Sequence, residues 1–353
     1  MKIMRGLGIS VLEAAKMRIR KLMAMHDHIV VSFSGGKDSL AVLHLVHEVM
    51  LEDGDDRPVN AMFMDEELLP ESVIDFVAEV RAYPWVALRW YVLPMKTAKF
   101  IMGDIFELTE WAPDRPHLRE PPPWAILPDP NDKTIYDQHT TGAYIAKEAG
   151  WKGRVCFLTG IRVEESLQRR ASIMIKMVDS FVADTKFPHI FMGKPIYDWK
   201  LDDLLLYFYE RKIRYCPIYD RQHVAEVDLR VSTPLHGGSA KRIGLLREYE
   251  PEFYGRIMEL FPEMRVQERY WAEFNASNLA STCENLAELW ALLEAKITPE
   301  VRARYLMAKR EALQKYAKDP VGYSSSLIIK YFMRGQWKTA PLLPISKNRQ
   351  EQP

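Results

Sequence analysis

The stretch HIVVSFSGGKDSLAVLHL (28–45) constrains this chain more than any other. An apolar run of strand length stops at Ser34-Gly35-Gly36-Lys37-Asp38-Ser39, and a segment with helical apolar spacing follows. A turn between a buried strand and a helix sits at the helix N-terminus. Orphan N–H groups and the macrodipole favour an anion there. Gly35 and Gly36 let the backbone take unusual dihedrals and approach a ligand closely. Lys37 adds a point charge, and Ser34 and Ser39 add hydroxyl donors. The six residues read as a phosphate cradle. Their spacing is not GxxxxGK[ST], so the cradle is not the common P-loop of NTPases.

Around the cradle, strands alternate with helices. A helix is expected over 9–26, with Ser10 as cap, then a first strand His28 to Phe33 and a helix from Lys37 to Leu51. VNAMFMD (59–65) reads as a second strand, PESVIDFVAEVRAY as a helix with Pro70 near its first turn, and VALRWYVLP (86–94) as a third strand. Residues 103–135 break the pattern with WAPDRPHLREPPPWAILPDPND, whose prolines forbid helix interiors and central strands. This segment reads as a lid or substrate-facing loop, or as a surface loop. A helix near 138–149, a fourth strand RVCFLTG (154–160), a helix VEESLQRRASIM, a short strand within 189–199 and a helix KLDDLLLYFYERK follow. The alternation predicts an α/β fold: a Rossmann-like parallel sheet with helices on both faces. Strand signals stop after residue 236, and 238–262, 264–276, 285–316 and 321–334 read as a helical C-terminal region. The expected organisation is an α/β domain over 1–235, the helical region over 236–340, and a loose tail over 341–353.

Bulk properties narrow the class further. Formal net charge is zero, so no global field draws the chain to nucleic acid or anionic lipid. Lys16, Arg18, Arg20 and Lys21 crowd one helix, and Lys241, Arg242 and Arg247 another; such runs read as solvated faces or as local nucleic-acid contacts. No apolar run reaches the roughly 18 residues of a membrane span. The N-terminal residues carry scattered charges and no signal-peptide pattern, so a cytoplasmic protein is expected. The three cysteines, Cys156, Cys216 and Cys283, are far apart and form no CxxC pair, which argues against a disulfide framework, zinc or an iron–sulfur cluster. The aromatic density of LLLYFYERKIRY and ERYWAEF fits core packing or a homodimer interface.

SGGKDS after a first strand resembles the PP-loop of the N-type ATP pyrophosphatases, or adenine nucleotide alpha hydrolase-like proteins. Lys at the variable position is similar to the phosphoadenosine phosphosulfate (PAPS) reductase branch. So are FMDEELLPESVIDFV (63–77), LTGIRVEESLQRR (158–170) and GKPIYDWKLDDLLLYF (193–208). The resemblance implies binding of ATP or PAPS with Mg2+. It assigns cofactor contacts to Ser34, Gly35, Gly36, Lys37, Asp38, Ser39, Asp65, Gly160, Arg162, Glu165, Ser166 and Arg169. Lys37, Asp38 and Arg162 are the expected catalytic residues, and Asp38 and Asp65 the expected Mg2+ ligands. A guanidinium such as Arg162 holds phosphate or sulfate bidentately; its alternative is an ion pair with Glu164. Asp38 is alternatively a helix cap.

The departures are informative. PAPS reductases carry a nucleophilic cysteine in Glu-Cys-Gly-x-His, whereas this chain has Thr282-Cys283-Glu284-Asn285. The cysteine cluster of related DNA-phosphorothioation enzymes would fall in 217–246, which contains no cysteine. That segment, with CPIYD (216–220) and RVSTPLHGG, resembles the immunoglobulin-binding-regulator A type branch. Its members occur in phages and mobile elements, often beside a ParB-like/sulfiredoxin-fold partner. Arg230, Ser232, Thr233, His236, Gly237 and Gly238 form either a second anion nest or a plain helix start. Three functions stay open. The first is an ATP pyrophosphatase that forms AMP and pyrophosphate and activates a substrate, with nucleic-acid sulfur modification and Cys216 as sulfur carrier as one version. The second is a sulfonucleotide transferase or reductase, and the third a nucleotide-sensing subunit with little turnover.

Overall fold

The computed structural model describes residues 8–101, 104–165, 181–270, 283–295, 297, 299–333, 337 and 341–344. The chain divides into two compact units. One comprises Met1–Thr97, Glu107–Pro234 and Gly244–Leu260; the other comprises Ala98–Phe106, Leu235–Ile243 and Phe261–Pro353.

The first unit is built on a six-stranded sheet. In chain order its elements begin with α1 (Val11–Met25), β1 (His28–Ser32), α2 (Lys37–Glu52), β2 (Val59–Met64), α3 (Glu71–Arg81) and β3 (Val86–Tyr91). After β4 (Met95–Ile101) and β5 (Asp104–Glu110) come α4 (Thr141–Glu148), β6 (Val155–Leu158), β7 (Val182–Asp184), β8 (Ile190–Gly193), α5 (Leu201–Arg211) and α6 (Ile218–Val224). The strand order is β3-β2-β1-β6-β8-β7, parallel except for β7 against β8. Val31 pairs with Ala61 on one side of β1 and with Leu158 on the other. The central strands are largely apolar because helices cover both faces: Val30 and Val31 of β1 and all four residues of β6 are buried. Val31, Phe33, Ala61, Cys156 and Leu158 pack with Ile19, Leu22, Leu43, Val77 and Leu204 from α1, α2, α3 and α5. Val30, Val155 and Phe157 pack with Ile145 of α4. This is the Rossmann-like architecture that the alternation implies.

Local chemistry sets the helix ends. Ser10 caps α1 by accepting from the Glu13 amide at 3.1 Å. Pro70 occupies the cap of α3, and the Asp203 carboxylate accepts the Lys200 amide at the start of α5. Three strands escape the sequence reading. β7 has only three residues, and β4 and β5, which form a separate two-stranded sheet, adjoin the proline-dense stretch. The expected helix 238–262 is in fact α7 (Gly237–Ala240), a 3-10 turn (Ile243–Leu245), α8 (Leu246–Tyr249) and α9 (Pro251–Leu260). Pro251 explains the last break, because the residue before a proline is pushed out of helical geometry and Glu250 has φ −142°, ψ 64°.

The second unit is mainly helical: besides parts of β4 and β5 and the short α7 it holds α10 (Met264–Tyr270), α11 (Leu286–Glu294), α12 (Pro299–Lys318) and α13 (Ser325–Met333). Its core is aromatic: Trp290 and Phe332 meet edge to face at 4.8 Å, with Tyr305 and Trp337 packed around them. Pro299 splits the expected helix 285–316. No described helix is long and apolar enough to cross a membrane.

Candidate nucleotide site

In the strand order, the chain runs outward from β1 to β3 and then returns to β6 on the other side of β1. The carboxyl ends of β1 and β6 therefore flank a topological switch point, where open α/β sheets bind ligands. Ser34–Ser39 leave β1 there, and Thr159–Arg162 leave β6.

The turn is shaped by its glycines. Gly35 has φ +74°, and a Cβ on it would lie 2.9 Å from both Val73 Cγ1 and Val77 Cγ2 of α3. Gly160 is tighter still, since its Cβ would fall 2.5 Å from the Asp38 carbonyl carbon. Any side chain at residue 160 would lift the β6 loop off the first turn of α2. The serines knit the turn. Ser39 Oγ accepts from the Ser34 amide at 3.1 Å, lies 3.0 Å from Ser34 Oγ, and donates to the Gly36 carbonyl at 3.0 Å.

Three charged side chains converge beside the turn. Lys37 Nζ donates to Asp38 Oδ2 at 2.9 Å and to the Leu229 carbonyl at 3.0 Å. Arg162 Nε donates to Asp38 Oδ1 at 2.5 Å and its Nη1 to Glu164 Oε2 at 2.9 Å. Asp38 thus holds an ammonium and a guanidinium in fixed positions. Arg162 does pair with Glu164; the guanidinium is only 4% exposed, whereas the Glu164 side chain is 46% exposed, so the pair runs from the buried wall out to the surface. Glu164 in turn accepts the Leu201 amide at the start of α5 at 2.8 Å.

These groups line a cavity of about 890 Å³, bounded also by Thr159, Gly160, Tyr219 and Asp228–Val231. Its volume lies within the roughly 300–1,000 Å³ of ordinary ligand pockets. The far wall is an irregular segment that sequence reasoning did not assign to the cradle. The Lys37 amide, the first of α2, donates to Tyr219 Oη at 2.8 Å. Gln222 brackets the backbone of Arg230: its Nε2 donates to the Arg230 carbonyl at 2.7 Å, and its Oε1 accepts the Arg230 amide at 2.9 Å. Arg230 is thereby presented at the cavity, and its guanidinium makes no hydrogen bond or ion pair among the described residues. Ile218, Tyr219 and Gln222 are the buried residues of α6. That helical spacing was the available signal.

Other expected site residues lie elsewhere. Asp65 does not line this cavity. It is fully buried, where its carboxylate accepts from Trp90 Nε1 at 2.9 Å, the Glu67 amide at 3.0 Å and the Arg119 fork, with one contact at 3.0 Å. Glu165 sits in a 3-10 turn, Val163–Glu165; Ser166 and Arg169 lie outside the described residues. Of the six residues offered as a second nest, Arg230 alone lines the cavity, and Gly237 and Gly238 open a four-residue helix. Cys216 is fully buried, its thiol directed at the Ser72 carbonyl, and burial pushes its pKa up to about 11. Such a thiol is a poor nucleophile. No described residue of 103–135 lines the cavity either. Residues 111–119 are tied to the end of β2, with Arg115 on Glu67, Arg119 on Asp65 and Trp111 Nε1 on the Asp65 carbonyl at 2.8 Å.

The basic run on α1 is consumed internally. Arg18 forks onto Asp198 at 2.7 and 2.6 Å, Lys16 pairs with Glu48 and Glu52, and Arg20 with Glu52 and Asp53. A resident Mg2+ fits poorly. Asp38 has both oxygens engaged by cations and Asp65 faces Arg119, and no group of three or more His, Cys, Asp or Glu among the described residues suits a metal.

Residues 28–100 match the family model of the phosphoadenosine phosphosulfate reductase domain. The uncharacterized protein YbdN of Escherichia coli (strain K12) is 31% identical over 237 residues, which cover 64% of this chain and 58% of that protein. The chain therefore spans less than two thirds of this relative. Among solved structures, an FMN adenylyltransferase of Candida glabrata, complexed with FMN and an ATP analogue, aligns with TM-score 0.41 at 12% identity. That alignment covers 60% of each chain. A PAPS reductase of Candida auris aligns with TM-score 0.35 at 13% identity, over 59% of this chain and 84% of that one.

Proposed function

We propose that this chain is an enzyme of the PP-loop type that binds ATP at Ser34–Ser39 and cleaves it between the α and β phosphorus atoms. One observation carries the reading. The glycine-opened N-terminus of a 16-residue helix stands at the sheet's switch point and walls a nucleotide-sized cavity with Lys37, Arg162 and Arg230. An acceptor oxygen would attack the α phosphorus, and pyrophosphate would leave with the electrons of the broken bond. Lys37 and Arg162, already held by Asp38, need no rearrangement to meet the negative charge that grows on the leaving group. Arg230 supplies cationic charge without a partner among the described residues. The products are AMP and pyrophosphate when water is the acceptor, or an adenylated substrate otherwise.

The match of residues 28–100 favours a second reading, in which the cavity takes a sulfonucleotide. Reduction by this chain's own thiols has little support, because Cys156, Cys216 and Cys283 are all buried. For the same reason Cys216 is a weak candidate for a sulfur carrier, and sulfur transfer to nucleic acid would need a thiol or persulfide from another protein. A ParB-like/sulfiredoxin-fold partner is one such source, suggested by the sequence resemblance alone.

The test is incubation with α-labelled ATP and Mg2+, alone and with DNA or tRNA, followed by separation of AMP and pyrophosphate. Release of both, alone or with nucleic acid, supports the first reading. Turnover of PAPS with an external thiol supports the second. Tight binding of ATP without products in any mixture points instead to a nucleotide sensor.

A further inference from the structure

We infer that the Tyr219 hydroxyl donates a hydrogen bond to an oxygen of the bound phosphate chain, passing the positive end of α2 to the ligand through a phenol. This rests on the nucleotide reading above and names one more residue that touches the substrate. A phenol has one hydrogen to give and lone pairs to receive. The Lys37 amide, at 2.8 Å, already occupies a lone pair of Tyr219 Oη. The hydroxyl hydrogen has no acceptor among the described residues, and Tyr219 lines the cavity. The free donor therefore belongs to whatever anion enters.

The surroundings fix this arrangement. Tyr219 is 5% exposed and belongs to the main core of its unit. Its ring lies 5.4 Å from Lys37 Nζ, and the Tyr215 ring meets it edge-on at 6.4 Å. Gly36 makes room for the hydroxyl, since a Cβ there would stand 3.3 Å from Tyr219 Oη. Burial raises the phenol's pKa, so the group remains a neutral donor wherever ATP is bound. An amide donating to the oxygen also polarises the O–H bond, which strengthens its onward donation. The opposing possibility is a cap: Tyr219 would occupy the amide until phosphate displaces it, and its removal would free a donor for the ligand.

The two roles give opposite signs in one experiment. Binding of ATP, pyrophosphate and adenosine is measured by calorimetry on the native chain and on Tyr219→Phe. Donation to phosphate requires roughly tenfold weaker binding of ATP and of pyrophosphate, with adenosine unchanged. Unchanged or tighter binding of both overturns the inference, as does an equal loss for adenosine, which marks a structural role. If Tyr219→Phe does not fold, Gly36→Ala replaces it, because the new methyl crowds the hydroxyl while leaving the ring in place. Full retention of pyrophosphate binding in Gly36→Ala overturns the inference. Failure of the native chain to bind either ATP or pyrophosphate overturns the nucleotide reading itself, a result distinct from any outcome with the variants.

Discussion

Two neighbouring strand tips of this sheet carry the same chemistry and put it to opposite uses. At the tip of β1, Asp38 holds Lys37 and Arg162 along the wall of a cavity. At the tip of β2, Asp65 and Glu67 hold Arg119 and Arg115 beneath residues 111–119, with both carboxylates fully buried. The first network lies along the cavity together with Tyr219 and Arg230. The second is closed on itself and fastens the proline-dense segment to the sheet. An acid at a strand end does not announce a ligand site: Asp38 and Asp65 each meet a distant arginine, and what separates them is whether a cavity opens beside the pair.

The sharpest way to break the comparison is to remove one partner from each network. Asp65→Ala strands Arg119 and cuts the bond to Trp90, and loss of one partner of a buried pair costs about 3–5 kcal/mol. Chemical denaturation should show that loss, while ATP affinity per folded molecule stays near native. A drop in ATP affinity with little change in stability would return Asp65 to the nucleotide site.

Lys37→Ala should do the reverse. Asp38 keeps Arg162, so the melting temperature moves little, while ATP binding weakens roughly 10–100-fold through loss of a charged donor. Unchanged affinity by calorimetry would remove Lys37 from the cradle.

A smaller effect sharpens the closed network. Glu110 is buried, its Oε1 has no hydrogen-bond partner among the described residues, and burial together with Glu66, Glu67 and Asp65 raises its pKa well above 4.5. The folded chain therefore binds this proton more tightly than the unfolded chain. The associated stability is present below the unfolded value and is lost as pH rises through the folded one. Glu110→Gln should raise the melting temperature by about 2 °C or more at pH 8, and by less at pH 5. A lower melting temperature at pH 8 would mean that the ionised carboxylate is what the fold uses.

The smallest expected effect is at Cys216. With its thiol buried and pushed up to about 11, it should resist iodoacetamide at pH 8 in the native chain and react only on unfolding. Rapid native labelling, followed by mass spectrometry, would reopen its role as a sulfur carrier.

How far these regions could be read in advance follows from how they are built. Ser34–Ser39 are contiguous, and strand, glycines and helix each leave a local pattern, so this turn and the central strands were legible. Gly160 and Arg162 sit in a similarly compact stretch after β6. Tyr219, Gln222 and Arg230 reach the site from a segment roughly 180 residues downstream, and no local spacing ties them to α2. Asp65 misled for the complementary reason: Arg119, its partner, is 54 residues away, inside a segment whose prolines suggested a lid. Proline density near 103–135 also hid β5, because the first proline, Pro113, comes soon after Glu110.

A crystal structure of the native chain with a non-hydrolysable ATP analogue addresses the phosphate cradle most directly. Phosphate oxygens should lie about 3 Å from Lys37 Nζ and from Tyr219 Oη, with the Lys37 amide still donating to that hydroxyl. An analogue bound elsewhere, with residues 34–39 still closed on their own hydroxyls, would contradict the assignment.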